Sequence, residues 1–361
     1  MLVAYVSGHG FGHATRTAEV LRVVRRREPT LPIVVTTSAP AALFESVIEG
    51  PLRMRRLECD VGLAQQEALT IDEPGTAARW REHANGFDAL VRSEALFLKQ
   101  GQAEVVLGDV PPLAFAAAAE AGVPSVALAN FSWDWIYSHY REREPELERA
   151  ASHCAEAYAR CGLLLRLPFA GDLSVFPRIE DIPLVARRPR LARFDTRRRL
   201  GLRPGRLVLI SFGGIGIPGF GYRALGALSE LRFVAVGDAS SSDLPENADL
   251  RTWGQLAAAG VAYEDLVGAA DAVLTKPGYG VVSDAIGAGT PIVYTDRGDF
   301  PEYPILVEGM KRVLACAHVS NADLRAGRLR DALDAAFAAE MPRPPRLDGA
   351  EVAVDRLLQA Q

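Results

Sequence analysis

Twice along this chain an apolar run of strand length gives way at once to a glycine-rich loop and then to helical spacing. The first instance is Leu2–Val6, then Gly8–Gly12, then Ala14–Arg27, with Ala18, Leu21 and Val24 on one face and Arg22, Arg25 and Arg26 on the other. The second starts at Leu207–Ser211 and runs into Phe212-Gly213-Gly214-Ile215-Gly216. Strand, tight loop, helix and next strand in this order specify a parallel sheet with right-handed crossovers. Ile33–Thr36, Val105–Leu107, Ser125–Ala129 and Leu163–Leu167 continue the first series. Helical spacing at Leu113–Ala121 and Pro145–Cys161 separates the last three of these strands. The second series continues with a helix near Tyr222–Leu228, strands at Phe233–Val236 and Ala272–Thr275, a helix at Val281–Ala288 and a strand at Pro291–Tyr294.

A chain of 361 residues exceeds one compact core. The two series therefore read as two Rossmann-like α/β domains facing a central cleft. The first covers 1–186 and the second 187–346. A terminal segment, 347–361, returns toward the first domain; in it an amphipathic run, Ala350–Leu358, follows Pro342, Pro344 and Pro345 and is expected to pack as a helix across the junction. Between the halves, 182–205 is rich in arginine and proline and reads as a solvated connector. Contact of its arginines with an anionic membrane surface is the alternative.

At 49% hydrophobic and 24% charged residues the chain can bury a large core, which excludes disorder as its main state. A net charge of −5 argues against a nucleic-acid footprint. Cys59, Cys154, Cys161 and Cys316 form no CxxC and read as core thiols of a cytoplasmic protein. The first strand carries no basic leader, so no signal peptide is expected, and the apolar stretch 113–131 is broken by Glu120, Gly122 and Pro124.

The candidate chemistry lies at the loops. In Gly8-His9-Gly10-Phe11-Gly12-His13 the glycines allow a tight turn and a close approach to a ligand. The helix that follows aims free N–H groups at the same spot. An imidazole at His13 can serve as a general base near pH 7 if a carboxylate fixes its tautomer. Asp109, at the end of a strand in the same half, can supply that carboxylate; capping the next helix is its other reading. His9 reads as a second ligand-facing group or a surface histidine. Gly213 and Gly214 make either an anion site suited to a diphosphate or a tight structural turn. Lys276-Pro277-Gly278-Tyr279-Gly280 opens another helix, on which Asp284 can accept ribose hydroxyls or stand as a plain helix-turn acid. Asp299, after the next strand, can bind sugar hydroxyls or cap its loop. Phe131, Trp133 and Trp135 form an aromatic cluster that either lines a cleft or fills the core.

Ser7–Arg16 (SGHGFGHATR), Glu67–Asp72 (EALTID), Asn130–Tyr137 (NFSWDWIY) and Lys276–Asp284 (KPGYGVVSD) together resemble the GT-B glycosyltransferase superfamily. The resemblance is nearest to the glycosyltransferase-like N-terminal region of plant L-arabinokinases and their stand-alone bacterial relatives. The kinase portion of those proteins has no counterpart in the sequence, and kinase activity is not implied. The resemblance implies a base at His13 with Asp109 behind it, and diphosphate contacts at Gly213 and Gly214. It puts a uracil near Tyr263 and a ribose at Asp284, where the superfamily usually has Glu. It puts the transferred sugar at Asp299, with Phe300 standing where Gln is usual. His9, Gly10, Gly12, Arg16 and the aromatic cluster fall on the acceptor side; Lys276, Gly278, Tyr279 and Gly280 fall on the donor side.

With no Asp-x-Asp in the sequence and no two glutamates eight apart in the donor region, the resemblance implies an inverting, metal-independent hexosyltransferase. It would move a sugar from a nucleotide-diphosphate donor, UDP-sugar foremost, to a hydroxyl of a small molecule, glycan or lipid. No cofactor is expected. A non-hydrolysing UDP-N-acetylglucosamine 2-epimerase or a non-catalytic sugar-nucleotide-binding module are the rival readings.

Overall fold

The computed structural model describes residues 1–67, 70–212, 220–237 and 244–360. One seven-stranded sheet uses β1 (Leu2–Val6), β2 (Ile33–Thr37), β3 (Leu52–Arg56), β6 (Val105–Asp109), β7 (Ser125–Ala129), β8 (Leu163–Arg166) and β9 (Ile179–Asp181), in the order β3-β2-β1-β6-β7-β8-β9. All of its neighbouring pairs are parallel. A small hairpin, β4 (Ala64–Glu67) with β5 (Thr70–Asp72), stands outside it. The second sheet has six strands: β10 (Arg206–Ser211), β11 (Leu231–Val236), β12 (Ala248–Arg251), β13 (Ala272–Thr275), β14 (Ile292–Tyr294) and β15 (Cys316–His318). Its order is β12-β11-β10-β13-β14-β15, again parallel throughout.

The inner strands are near-continuous apolar runs because helices cover both faces of each sheet. β1, β2, β6 and β7 are buried at every residue. The strand orders carry a functional consequence. β1 lies between β2 and β6, and β10 lies between β11 and β13. At those switch points successive connections leave on opposite sides, which opens a crevice beyond the carboxyl ends of the strands.

Several element boundaries differ from the sequence reading. The opening helix starts at Phe11 rather than Ala14, because Gly10 is its N-cap. β6 runs on through Gly108 to Asp109. Tyr222–Ala227 is a 3-10 helix rather than an α-helix. The connector is not simply solvated. It contains a helix, Arg193–Arg199, packed on the helix Tyr263–Ala269. Its arginines are largely engaged by carboxylates. Arg193 and Arg197 hold Asp271 at 2.5 and 2.8 Å, and Arg187 holds Glu264 and Asp284 at 3.1 and 2.5 Å.

The terminal helix, Gly349–Gln359, lies along the opening helix and buries Ala350, Ala353, Val354 and Leu357, one helical stripe. Burying Val354 and Leu357 stabilises the contact by about 1.5–3 kcal/mol each. Arg26–Glu351, Arg27–Asp355 and Arg356–Glu180 ion pairs flank it. Among the described residues no helix is long and apolar enough to cross a membrane.

Candidate active site

The order of the first sheet brings the His13 loop and Asp109 together. β1 and β6 are neighbours, with Val6 in register with Asp109. The loop after β1 therefore leaves beside the strand end that carries the carboxylate. Gly10 adopts φ +86°, a conformation side chains rarely take, and turns the chain so that the helix starts at once. His13, in the first turn, puts Nδ1 2.9 Å from Oδ1 of Asp109.

Three further donors converge on that carboxylate. Arg16 donates from Nε to Oδ2 at 2.7 Å and from Nη2 to Oδ1 at 2.5 Å, and Thr17 donates to Oδ2 at 2.7 Å. Burial pushes the Asp109 carboxyl up, but the Arg16 guanidinium, with help from His13, pulls it down to about 2. Arg16 Nη2 is also 3.1 Å from Nδ1 of His13. A guanidinium only donates, and its shorter contact is to the carboxylate, so the Nδ1 proton goes to Asp109 and Nε2 is left as the basic nitrogen. Val110, next after Asp109, sits at φ +79°, a strained region for a β-branched residue. Its carbonyl accepts the Tyr158 hydroxyl at 2.8 Å, which holds the strand end in place.

The second domain faces this site with a matching element. Gly278 is the N-cap of the helix Tyr279–Ala288. Neither this helix nor the opening helix has a side-chain cap or an acidic residue in its first turn. The two starts touch: a Cβ on Gly280 would lie 3.0 Å from Cα of Gly12. Each start leaves up to four N–H groups without helical partners, and each is the positive end of a helix dipole. Two such ends abutting without an acidic cap form an electropositive junction beside His13. Lys276 precedes the second start; burial, and then the Arg297 charge, lower its pKa to about 8.

Some expected donor residues are engaged differently. Asp284 is 3% exposed and takes a two-point contact from Arg187, 3.1 Å from Nε and 2.5 Å from Nη2. Burial raises its pKa and Arg187 partly opposes that. It ties the connector to the helix instead of standing open to a ribose, which would have to displace Arg187. Asp299 accepts from Arg143 at 2.6 Å and lies 2.7 Å from His139, so it clasps the first domain. Tyr263 meets the Ser211 hydroxyl at 2.5 Å and packs on Trp253, whose other neighbour is Phe11 of the first domain. Gly213 and Gly214 lie outside the described residues.

The aromatic cluster divides. Phe131 and Trp133 are 5% and 3% exposed and belong to the core, although their rings edge His13 and His9 at 5.4 and 6.1 Å. Trp135 is half-buried against Gly171. His9 points away from Asp109, with Nε2 3.1 Å from the carbonyl of Asp60 and 3.5 Å from its carboxylate. Asp60 was not anticipated, nor were Asn130 as a side-chain ligand, Arg297 and Glu302. Asn130 stood out only as the first residue of the Asn130–Tyr137 segment, with no role assigned to its side chain, and Glu302 gave no signal beyond its place three residues after Asp299.

Two parallel-sheet domains with a histidine–aspartate pair at their junction define the GT-B fold class, and the solved structures agree. The chain overlays UDP-glucose:anthocyanidin 3-O-glucosyltransferase, solved with UDP, at a TM-score of 0.60 and 12% identity, covering 99% of this chain and 93% of that one. It overlays a UDP-N-acetylglucosamine 2-epimerase of Listeria monocytogenes at 0.57 and 13% identity, covering 99% and 94%. In sequence, the chain is similar to L-arabinokinase of Arabidopsis thaliana, at 32% identity over 354 residues. That match takes in 97% of this chain but 33% of the relative, so the chain spans about a third of the length of the protein it resembles. No family model matches the sequence.

Proposed function

We propose that this protein is an inverting, metal-independent glycosyltransferase that uses a nucleotide-diphosphate sugar, foremost a UDP-sugar. One observation carries the reading: the Asp109-backed imidazole of His13 stands beside the junction of two uncapped helix starts. Nε2 of His13 takes the proton of an acceptor hydroxyl as the oxygen attacks the anomeric carbon. The bond from that carbon to the diphosphate oxygen breaks, and its electron pair leaves with the diphosphate. Attack opposite the leaving group inverts the configuration. The charge that develops on the diphosphate is stabilised by the free amides at the start of Tyr279–Ala288 and by Lys276. Asp109 orients the imidazole and stabilises the imidazolium.

The test is incubation with UDP-, GDP- and dTDP-sugars, with and without acceptor alcohols, followed by anomer analysis of any product. Transfer with inversion supports the proposal. An isomerised sugar nucleotide formed without acceptor supports instead the epimerase reading, which the likeness to the Listeria enzyme brings forward.

A further inference from the structure

A line of buried polar groups runs from the His13 pair to the opposite domain. Arg16, 4% exposed, holds Asp109 through Nε and Nη2 and donates from Nη1 to Oδ1 of Asn130 at 2.6 Å. Asn130, fully buried at the end of β7, uses its other amide atom: Nδ2 donates to Oε1 of Glu302 at 2.6 Å. Glu302 is 3% exposed and opens a helix of the second domain, Glu302–Val313. Its other oxygen accepts from Arg297 at 2.8 Å, and Arg297 donates to the carbonyl of Pro277, next to the start of Tyr279–Ala288. The run therefore begins at the base and ends at the loop that faces the diphosphate.

The chemistry of the run makes it directional. An asparagine amide has one accepting and one donating end. Arg16, which can only donate, fixes the accepting end, so the donating end must face an acceptor. Within the first domain that NH2 group has no other hydrogen bond among the described residues; Glu302 supplies its acceptor from across the junction. A buried donor deprived of its acceptor is costly, at about 1–3 kcal/mol, so Asn130 reorients if Glu302 is withdrawn. Arg16 then loses one of its anchors. Its contacts to Asp109 and its 3.1 Å approach to Nδ1 of His13 shift with it.

We propose that Glu302 is a positioning residue: from the second domain, through Asn130 and Arg16, it holds Asp109 and His13 in working register only while the two domains are closed. The base is thus complete only when the diphosphate loop is in place, which limits wasteful hydrolysis by an open cleft. The proposal deepens the transferase reading, and its structural half stands without it.

The experiment therefore has two readouts on full-length protein. The first is the tautomer of His13 by 15N NMR, in wild type, Glu302→Leu, Glu302→Gln and the Asn130→Leu/Glu302→Leu double variant. Wild type shows the Nδ1–H form. Glu302→Leu gives a mixture of tautomers, although the substitution lies in the other domain. Glu302→Gln has one carboxamide oxygen for two donors, Asn130 Nδ2 and Arg297, so it gives a smaller shift toward the mixture than Glu302→Leu. The double variant adds nothing to Glu302→Leu, because both act on one bridge. Where Glu302→Leu does not fold, as judged by its melting transition, Glu302→Asp, which draws the oxygen back, takes its place with the same expectation. The second readout is transfer: kcat falls by about 100-fold in Glu302→Leu with little change in donor KM, the scale expected of a misplaced base. A wild-type His13 spectrum in Glu302→Leu, or in its Asp substitute, overturns the proposal whatever the activity. A tautomer change without any transferase activity in wild type upholds the bridge and removes the transferase reading instead.

Discussion

Nδ1 of His13 lies 2.9 Å from Oδ1 of Asp109 across 96 residues of chain, and the adjacency of β1 and β6 alone puts them there. If His13 is the base, His13→Ala lowers transfer by about 100-fold or more at neutral pH. Asp109→Asn leaves Arg16 and His13 beside a neutral amide and lowers transfer as well, with the loss in kcat rather than in donor KM. Steady-state kinetics of the two variants check both statements. Undiminished transfer in His13→Ala assigns the proton to another group.

The junction of the helix starts has almost no spare room. Adding a methyl group in Gly280→Ala puts a carbon 3.0 Å from Cα of Gly12, backbone against backbone. The domains must part by a few tenths of an ångström. We expect a raised donor KM and a lowered kcat with an unchanged melting profile of each domain. Kinetics together with differential scanning calorimetry read this out.

Lys276 gives the site a pH dependence with a defined sign. Burial, and then Arg297, hold its folded-state pKa to about 8, against about 10.4 for a free lysine. Between those values the unfolded chain binds the extra proton, so the contribution of Lys276 to stability rises with pH through that window. Anion binding runs the other way, because a diphosphate favours the charged lysine. UDP affinity by calorimetry falls as pH rises above about 8, and Lys276→Met removes that slope.

Arg187 stands between two buried acids, Glu264 at 3.1 Å and Asp284 at 2.5 Å. Removing one member of such a group strands the others. Arg187→Met costs about 3–5 kcal/mol, measured as a drop in the urea midpoint. Arg187→Met combined with Asp284→Asn recovers part of that loss, since one stranded charge is gone.

Much of this fold was open to a reader of the sequence, for a physical reason. A parallel strand buried on both faces must be apolar throughout, so β1, β7 and β13 stood out at their true ends. The edge strand β3 did not, because Leu52–Arg56 alternates with three arginines. The 28-residue helix Glu73–Gln100 was also missed: its buried positions, such as Trp80, Phe87, Val91 and Leu98, are sparse among exposed charges. At the site, glycine loops and a strand-end aspartate pointed to His13 and Asp109. Glu302 and Arg187 could not be found that way: Asn130 lies 172 residues from Glu302 and meets it only where the domains dock, and Asp284 lies 97 residues from Arg187. Asp284 shows the complementary limit. Its place in a loop-to-helix motif suggested a ligand, whereas a distant arginine had already taken its oxygens.

The most direct test of the central claim is a crystal structure with UDP bound. The account predicts the diphosphate against the backbone amides at the start of Tyr279–Ala288, within reach of Lys276, with His13 facing its terminal phosphate. A nucleotide seated elsewhere, such as the crevice of about 340 Å³ behind the junction lined by Arg22, Arg187 and Arg190, would contradict it.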